Sequence, residues 1–176
     1  MKTLILTRHA KSSWNTDVST DFERPLNKRG MHDAPEMATR LLSHGPIPDK
    51  IVSSSATRAL VTTRLLMKGL ALNSQLLEIT DSIYEAPIQA LLETISNLEH
   101  NCHTAMIVGH NPGMSGTSNY LCAKSTLDMP TCAMACLDLD IESWTEVYRD
   151  CATLRWYDYP KNSIKLTKQR LSLIHI

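Results

Sequence analysis

Arginine and histidine side chains follow apolar, strand-like segments at several points along this chain. Arg8 and His9 follow the apolar run at residues 4–6, separated from it by Thr7, and His110 follows a second such run. Ligands of open α/β sheets bind outside the carboxyl ends of the strands. Because guanidinium and imidazole groups donate hydrogen bonds to oxyanions, these residues predict an anion site, with phosphate as the first candidate.

A second arginine joins this set through a helix start. Arg58 lies in the first turn of a helix that is expected after the serine run at residues 53–55. Helix N-termini present unpaired N–H groups and a partial positive charge, and both favour phosphate. An arginine and a histidine after one strand are also common in ordinary loops. The prediction of a phosphoryl site therefore depends on all four side chains sharing one edge of one sheet.

Strand and helix signals alternate along the chain, which predicts a three-layer α/β/α fold. The central sheet is expected to be mostly parallel, with helices on both faces. Predicted strands lie at residues 4–6, 49–53, 76–79, 104–109, 132–139 and 153–157. Predicted helices lie at about 28–44, 56–70, 88–98 and 112–122, where apolar residues recur at helical spacing.

Capping residues predict where the helices start. Asn27 is expected to cap the first helix, although Pro35 predicts either a kink or a later start. Ser54 or Ser55 is expected to cap the second helix, and Asn111 the fourth.

Composition excludes several classes of function. The 176 residues include 18 Lys and Arg and 18 Asp and Glu, so no net charge attracts nucleic acid or a membrane. Neither a signal peptide nor a membrane-spanning run is recognisable. Five scattered cysteines without a C-x-x-C pair are typical of packed, reduced thiols. These features predict a cytoplasmic protein.

The motifs, taken in order, resemble those of the histidine phosphatase superfamily, and most of all its short SixA-like phosphohistidine phosphatases. The resemblance covers residues 1 to about 158 and implies a phosphoglycerate mutase-like fold. The chain has Ala10 where most of the superfamily has glycine, and alanine is common in the SixA-like branch. The motifs that carry the resemblance are Arg8-His9-Ala10-Lys11-Ser12-Ser13-Trp14, Arg24-Pro25-Leu26-Asn27 with Arg29-Gly30, Ser53-Ser54 with Arg58, and Val108-Gly109-His110-Asn111-Pro112-Gly113.

The resemblance implies a role for each of four residues. His9 would be the nucleophile that takes the phosphoryl group as a covalent phosphohistidine. His110 would donate to the phosphoryl oxygens, and Arg8 and Arg58 would clamp them. Such a site needs no metal and no cofactor, because phosphoryl transfer depends mainly on positioning and charge stabilisation.

The general acid is open at this point. Superfamily members that act on phosphate esters carry a carboxylate after the third strand, and both Asp81 and Glu85 lie in that stretch. Asp81 is the first candidate. Neither carboxylate is required when the leaving group is phosphohistidine, since an imidazole can depart already protonated.

The expected partner is a phosphorylated protein that carries phosphohistidine, or a small phosphorylated metabolite. The chain is too short for a lid over the site, which favours an open cleft. A non-catalytic phosphate-binding module, a broad phosphomonoesterase and a metal-dependent hydrolase are the alternatives. Residues 1–160 are expected to form one domain, followed by a tail at 161–176 that is docked or disordered; the oligomeric state is left open.

Overall fold

The computed structural model describes residues 1–15 and 17–162 and contains a six-stranded sheet. Strand order is β3-β2-β4-β1-β5-β6. β1 to β4 are parallel to one another, whereas β5 is antiparallel to both β1 and β6. The fold is therefore α/β with a mostly parallel sheet, as predicted. The strands are β1 (Lys2–Arg8), β2 (Lys50–Ser54), β3 (Leu77–Thr80), β4 (Thr104–Gly109), β5 (Met134–Leu139) and β6 (Ala152–Asp158).

Within the described residues, four α-helices cover the two faces of the sheet. They are α1 (Lys28–His44), α2 (Thr57–Gly69), α3 (Ile88–Ser96) and α4 (Gly113–Leu121). Side chains of β1 alternate between the two faces: Leu4 and Leu6 are buried with residues of α3 and α4, and Ile5 is buried with residues of α1 and α2. Strands that are buried on both sides read as continuous apolar runs, which explains the sequence of β1.

Three of the predicted helix starts need correction. α4 begins at Gly113 after Pro112 and has no side-chain cap, so Asn111 is not its capping residue. α1 begins directly after Asn27, whose side chain accepts a hydrogen bond from Gly30 N–H, so a later start is wrong and the helix continues across Pro35. α2 begins after Ala56, without a side-chain cap. Neither Ser54 nor Ser55 occupies the capping position, because β2 extends through Ser54.

Two loop segments are joined next to the end of β1. Ser12 and Leu26 form an isolated antiparallel bridge, and Asn27 N–H donates to the Lys11 carbonyl at 3.0 Å. A Cβ at Gly30 would lie 2.2 Å from that same carbonyl oxygen, so only glycine allows this approach. The start of α1 is thereby packed against the segment that follows His9.

Three further predictions concern the chain as a whole. All five cysteines are free and buried. Among residues 1–15 and 17–162, none of the helices combines the length and the apolar character that crossing a membrane requires. From residue 163 onward, the predicted tail lies outside the described residues.

Candidate active site

The two predicted site histidines lie together at the carboxyl end of the central strand pair. β1 and β4 are parallel and Arg8 is paired with Gly109, so His9 and His110 leave the sheet at the same level. Their ring centroids are 5.1 Å apart, with the planes inclined by 52°. Both side chains are buried.

Backbone hydrogen bonds hold the main chain at His9. The N–H of His9 donates to the Gly109 carbonyl at 3.0 Å, and the N–H of Cys132 donates to the carbonyls of Arg8 and His9. Cys132 has a φ of 64°, in the left-handed region, and this directs its N–H at both carbonyls. Burial raises the pKa of its thiol to about 12, so Cys132 is a structural residue and not a nucleophile.

One nitrogen of His9 is free to react. Nδ1 lies 2.7 Å from the Ala10 carbonyl oxygen and therefore carries the proton that it donates there. Nε2 is left with a lone pair, and Arg58 Nε donates to it over 3.4 Å. This tautomer is the one in which Nε2 can attack an electrophile.

Both histidines are neutral near pH 7. Burial lowers the pKa of His9 to about 3; the carbonyl of Ala10 opposes this shift, and the nearby His110 and Arg58 add to it. Burial also lowers the pKa of His110 to about 4, and the positive charge of Arg58 contributes. Neutral imidazole is the nucleophilic form, so the site is prepared for attack over most of the pH range in which the protein would work.

His110 is oriented by the end of β2. Its Nε2 lies within hydrogen-bond distance of the Ser54 hydroxyl, at 2.8 Å, and the hydroxyl oxygen accepts a hydrogen bond from Ala56 N–H. Its Nδ1 is buried and has no hydrogen-bond partner within the described part of the chain. The ring of Tyr84 packs edge-on against His110, with centroids 5.4 Å apart. His110 is therefore fixed on two sides.

Two predicted arginines belong to the same site. Arg58 is buried and its guanidinium lies between His9 and the loop that contains Asp21. Arg8 donates from Nη1 to the Met129 carbonyl at 2.9 Å. Its Nε is buried and has no partner among residues 1–15 and 17–162. A half-buried guanidinium whose buried Nε–H is an unused donor favours an anionic ligand.

These side chains line a cleft of about 250 Å³. Four of the lining residues are cationic and one is a carboxylate, so the cleft is suited to a dianion such as a phosphoryl group. Its lining consists of Arg8, His9, Lys11, Ser12, Trp14, Arg24, Arg58, Glu85, His110, Asn111 and Thr131.

The structure separates the two candidate acids. Glu85 lines the cleft, in a left-handed turn with φ 48°. Asp81 does not line it; its carboxylate accepts a hydrogen bond from the Ser55 hydroxyl instead. The first choice of acid from the sequence is thus away from the cleft, and the second choice is in it.

Arg24 is a cleft residue to which the sequence assigned no role. Its guanidinium carbon lies 3.4 Å from the centroid of the Trp14 ring, and the indole is 75% exposed at the rim. Nε of Arg24 donates to the Ser13 carbonyl, and Nη2 donates to the Ser12 hydroxyl. The Arg24-Pro25-Leu26 motif was visible in the sequence, but the loop geometry that brings it to the cleft has no periodic signal.

Burial of two neutral histidines predicts that acid destabilises the fold. Their pKa values in the folded state lie below the ordinary 6.5, so the unfolded chain binds more protons between about pH 6.5 and pH 3. The free energy of unfolding should fall as the pH falls through this window, by up to about 1.4 kcal/mol per pH unit for each histidine. Urea unfolding at pH 5, 6 and 7 measures this slope, and His9→Gln should make it shallower. An unchanged slope in that variant would show that His9 titrates normally.

Potential metal ligands are placed elsewhere. Within the described ranges, His32, Asp33 and Glu36 on α1 form the group with three donor atoms close enough to share an ion. None of the three lines the cleft.

The chain is similar in sequence to a known family and to several known proteins. A sequence profile of the histidine phosphatase superfamily (branch 1) matches residues 4–87. The uncharacterized chloroplastic protein At3g52155 of Arabidopsis thaliana is 32% identical over 163 residues, which cover 82% of this chain and 70% of that protein. The uncharacterized protein Rv1276c of Mycobacterium tuberculosis is 29% identical, over 88% of this chain and 99% of its own.

Solved structures with the same fold include SixA proteins. A candidate phosphohistidine phosphatase SixA from Agrobacterium tumefaciens is 27% identical, with a TM-score of 0.75 over 90% of this chain and 98% of that one. The protein histidine phosphatase SixA in complex with tungstate has a TM-score of 0.78 at 22% identity, over 92% of this chain and 99% of its own. The chain therefore belongs to the histidine phosphatase superfamily, in its SixA-like branch.

Proposed function

We propose that this protein is a phosphatase that removes a phosphoryl group through a covalent phosphohistidine on Nε2 of His9. The observation that carries the proposal is the state of that nitrogen. It is unprotonated, because Nδ1 donates to the Ala10 carbonyl, and it lies at a cationic cleft beside Arg58. A nucleophile without a proton next to donors for the phosphoryl oxygens has what phosphoryl transfer requires.

The reaction would proceed in two displacements. In the first, the Nε2 lone pair of His9 forms a bond to phosphorus while the bond from phosphorus to the leaving atom breaks. A phosphorylated imidazole leaves with the proton that it already carries, whereas an ester oxygen takes a proton from Glu85, which recovers it from the attacking water in the second step. In the second, a water oxygen attacks phosphorus and the N–P bond breaks. Inorganic phosphate leaves, and His9 returns to its neutral form with the proton still on Nδ1.

The cationic side chains would stabilise the charge on the transferred group. Arg8 has an unpartnered Nε, and Arg58 presents its Nε toward the reacting nitrogen. His110 would add a donor once the phosphoryl group is bound. Preorganised donors of this kind contribute most of the rate enhancement where water is excluded, about 10²- to 10³-fold for each donor in comparable sites.

Phosphohistidine on another protein is the substrate that we favour. The cleft is open at its rim, where Trp14 is largely exposed, so a side chain presented on a protein surface can reach His9. A phosphorylated imidazole can also leave already protonated, without a strong acid in the site. Small phosphate esters are the second candidate, because Glu85 lies in the cleft and could protonate a leaving oxygen.

Trapping of the phosphorylated enzyme tests this proposal. A phosphohistidine peptide and p-nitrophenyl phosphate are each mixed with the protein in excess chelator and quenched in alkali within milliseconds to seconds. Mass spectrometry of the digest should find one phosphate on the peptide that contains His9, stable in alkali and lost in acid. Faster labelling by the peptide would favour phosphohistidine, and faster labelling by the ester would favour the phosphomonoesterase. Turnover without any adduct, or turnover that chelator abolishes, would contradict the covalent mechanism.

A further inference from the structure

Asp21 joins two arginines that line the cleft, Arg24 and Arg58. Its Oδ1 accepts from Arg24 Nη1 at 2.7 Å, and its Oδ2 accepts from Arg58 Nη2 at 2.9 Å. Its main-chain carbonyl accepts from Arg58 Nη1 at 2.7 Å. Tyr84 reaches the same carboxylate from the loop after β3 and donates to Oδ2 at 2.7 Å. One aspartate thus links side chains from three separate segments.

The carboxylate is permanently charged in this setting. The hydrogen bond from Tyr84 holds the pKa of Asp21 well below its usual range, and the guanidinium groups of Arg24 and Arg58 lower it further. Asp21 is therefore not a proton donor at any pH at which the protein would work. Its remaining role is electrostatic and geometric.

The contacts of Asp21 use one edge of the Arg58 guanidinium. The edge that carries Nε faces His9 and makes no contact with Asp21. A guanidinium carries five N–H donors in a planar fork. Nη1 and one hydrogen of Nη2 are directed at Asp21, whereas Nε is directed at Nε2 of His9. The second hydrogen of Nη2 lies on the same edge as Nε–H. That edge matches two oxygens of a phosphoryl group in bidentate geometry.

We propose that Asp21 is a positioning residue, which fixes the Nε edge of Arg58 toward the phosphoryl group and holds Arg24 at the cleft. This inference rests on the function proposed above. The carboxylate also offsets repulsion between Arg24 and Arg58, which would otherwise face each other as two bare cations. Tyr84 fixes the carboxylate in turn, and its ring packs against both His110 and Phe22.

Two other roles for Asp21 make different predictions. If the carboxylate competed with phosphate for Arg58, its removal would increase oxyanion binding and turnover. If Asp21 only stabilised the loop, its removal would lower the melting temperature and leave turnover by the folded protein unchanged.

Asp21→Asn tests the proposal, with Asp17→Asn as the matched control. Asp17 is exposed in the same loop and does not line the cleft. We expect Asp21→Asn to lower kcat/KM about 10- to 100-fold and to weaken tungstate binding about 10-fold, since one ill-aligned donor costs about that much. Asp21→Glu should recover part of both losses, and Tyr84→Phe should lower kcat/KM a few-fold. The melting temperatures should stay close to that of the wild type.

The readouts separate this inference from the proposed function. Tungstate affinity, measured by calorimetry, does not require turnover, so it still reports on Arg58 if the wild type forms no phosphohistidine. The positioning role would be overturned if the Asp21→Asn and Asp17→Asn variants had the same tungstate affinity and the same kcat/KM. Tighter tungstate binding or faster turnover in Asp21→Asn would overturn it as well, in favour of a blocking carboxylate.

Discussion

His9→Ala is expected to lower kcat about 10⁴-fold or more for every phosphorylated substrate. The variant loses Nε2 of His9, an unprotonated nitrogen in the cleft that accepts from the Arg58 guanidinium at 3.4 Å. Water would then have to attack the phosphoryl group directly, with help from the arginines alone, and removal of a covalent nucleophile generally costs several orders of magnitude. Steady-state turnover of the phosphohistidine peptide and of p-nitrophenyl phosphate measures the loss.

A histidine outside the cleft serves as the control for this variant. His100 is exposed and does not line the site, so His100→Ala should retain the turnover of the wild type. His9→Ala should still bind tungstate, because Arg8, Arg24 and Arg58 are intact. If His9→Ala binds tungstate and also turns over substrate at the normal rate, His9 is not the nucleophile, and a water activated in another way must attack phosphorus.

Gly30→Ala is expected to cost about 3 kcal/mol or more of unfolding free energy, the upper range for overpacking. The new methyl group would lie 2.2 Å from the Lys11 carbonyl oxygen. That neighbour is backbone and cannot rotate away, and it is already held by the Asn27 N–H. The first turn of α1 and the segment after His9 must therefore move apart. Urea unfolding gives the loss of stability.

The same displacement should reach the active site. Ser12 and Trp14 line the cleft and belong to the segment that Gly30 contacts, so folded Gly30→Ala should also lose turnover. Gly45→Ala is the matched glycine control: Gly45 has a φ of 59° and a ψ of 174°, which are strained for alanine, but nothing lies within 4 Å of a Cβ, so the substitution should cost about 1–3 kcal/mol without loss of kcat. Equal costs at the two positions would show that the segment near Lys11 adjusts freely.

The parts of the site that lie at strand ends could be predicted from the sequence. Apolar runs identify β1 and β4, and polar residues that follow parallel strands must meet at one edge of the sheet. This rule alone places His9 and His110 at the same edge of the sheet, without information on their contacts. The predicted start of α2 places Arg58 at the same edge, although Ser54 and Ser55, the predicted caps, do not cap the helix.

Loop geometry accounts for what the sequence did not reveal. Arg24 and Tyr84 both contact Asp21 across turns, and no periodicity marks such contacts. Glu85 faces the cleft because of a left-handed backbone conformation at a residue where the sequence offers no glycine or asparagine. Ser54 looked like a helix cap because serine is a common cap, yet its hydroxyl bonds to His110. The direction of β5 was likewise not encoded in its apolar pattern.

The pairing of β1 with β4 ties catalysis to the order in which the chain folds. The two histidines lie about a hundred residues apart in sequence and become neighbours only when this central pair closes. A nascent chain that still lacks β4 also lacks His110, so its site is incomplete even when α1 and α2 have already packed. Contacts between distant segments form late, because their loop entropy must be overcome first. The recovery of turnover during refolding should therefore show when β1 pairs with β4. Spectroscopic signals from the helices do not report that event.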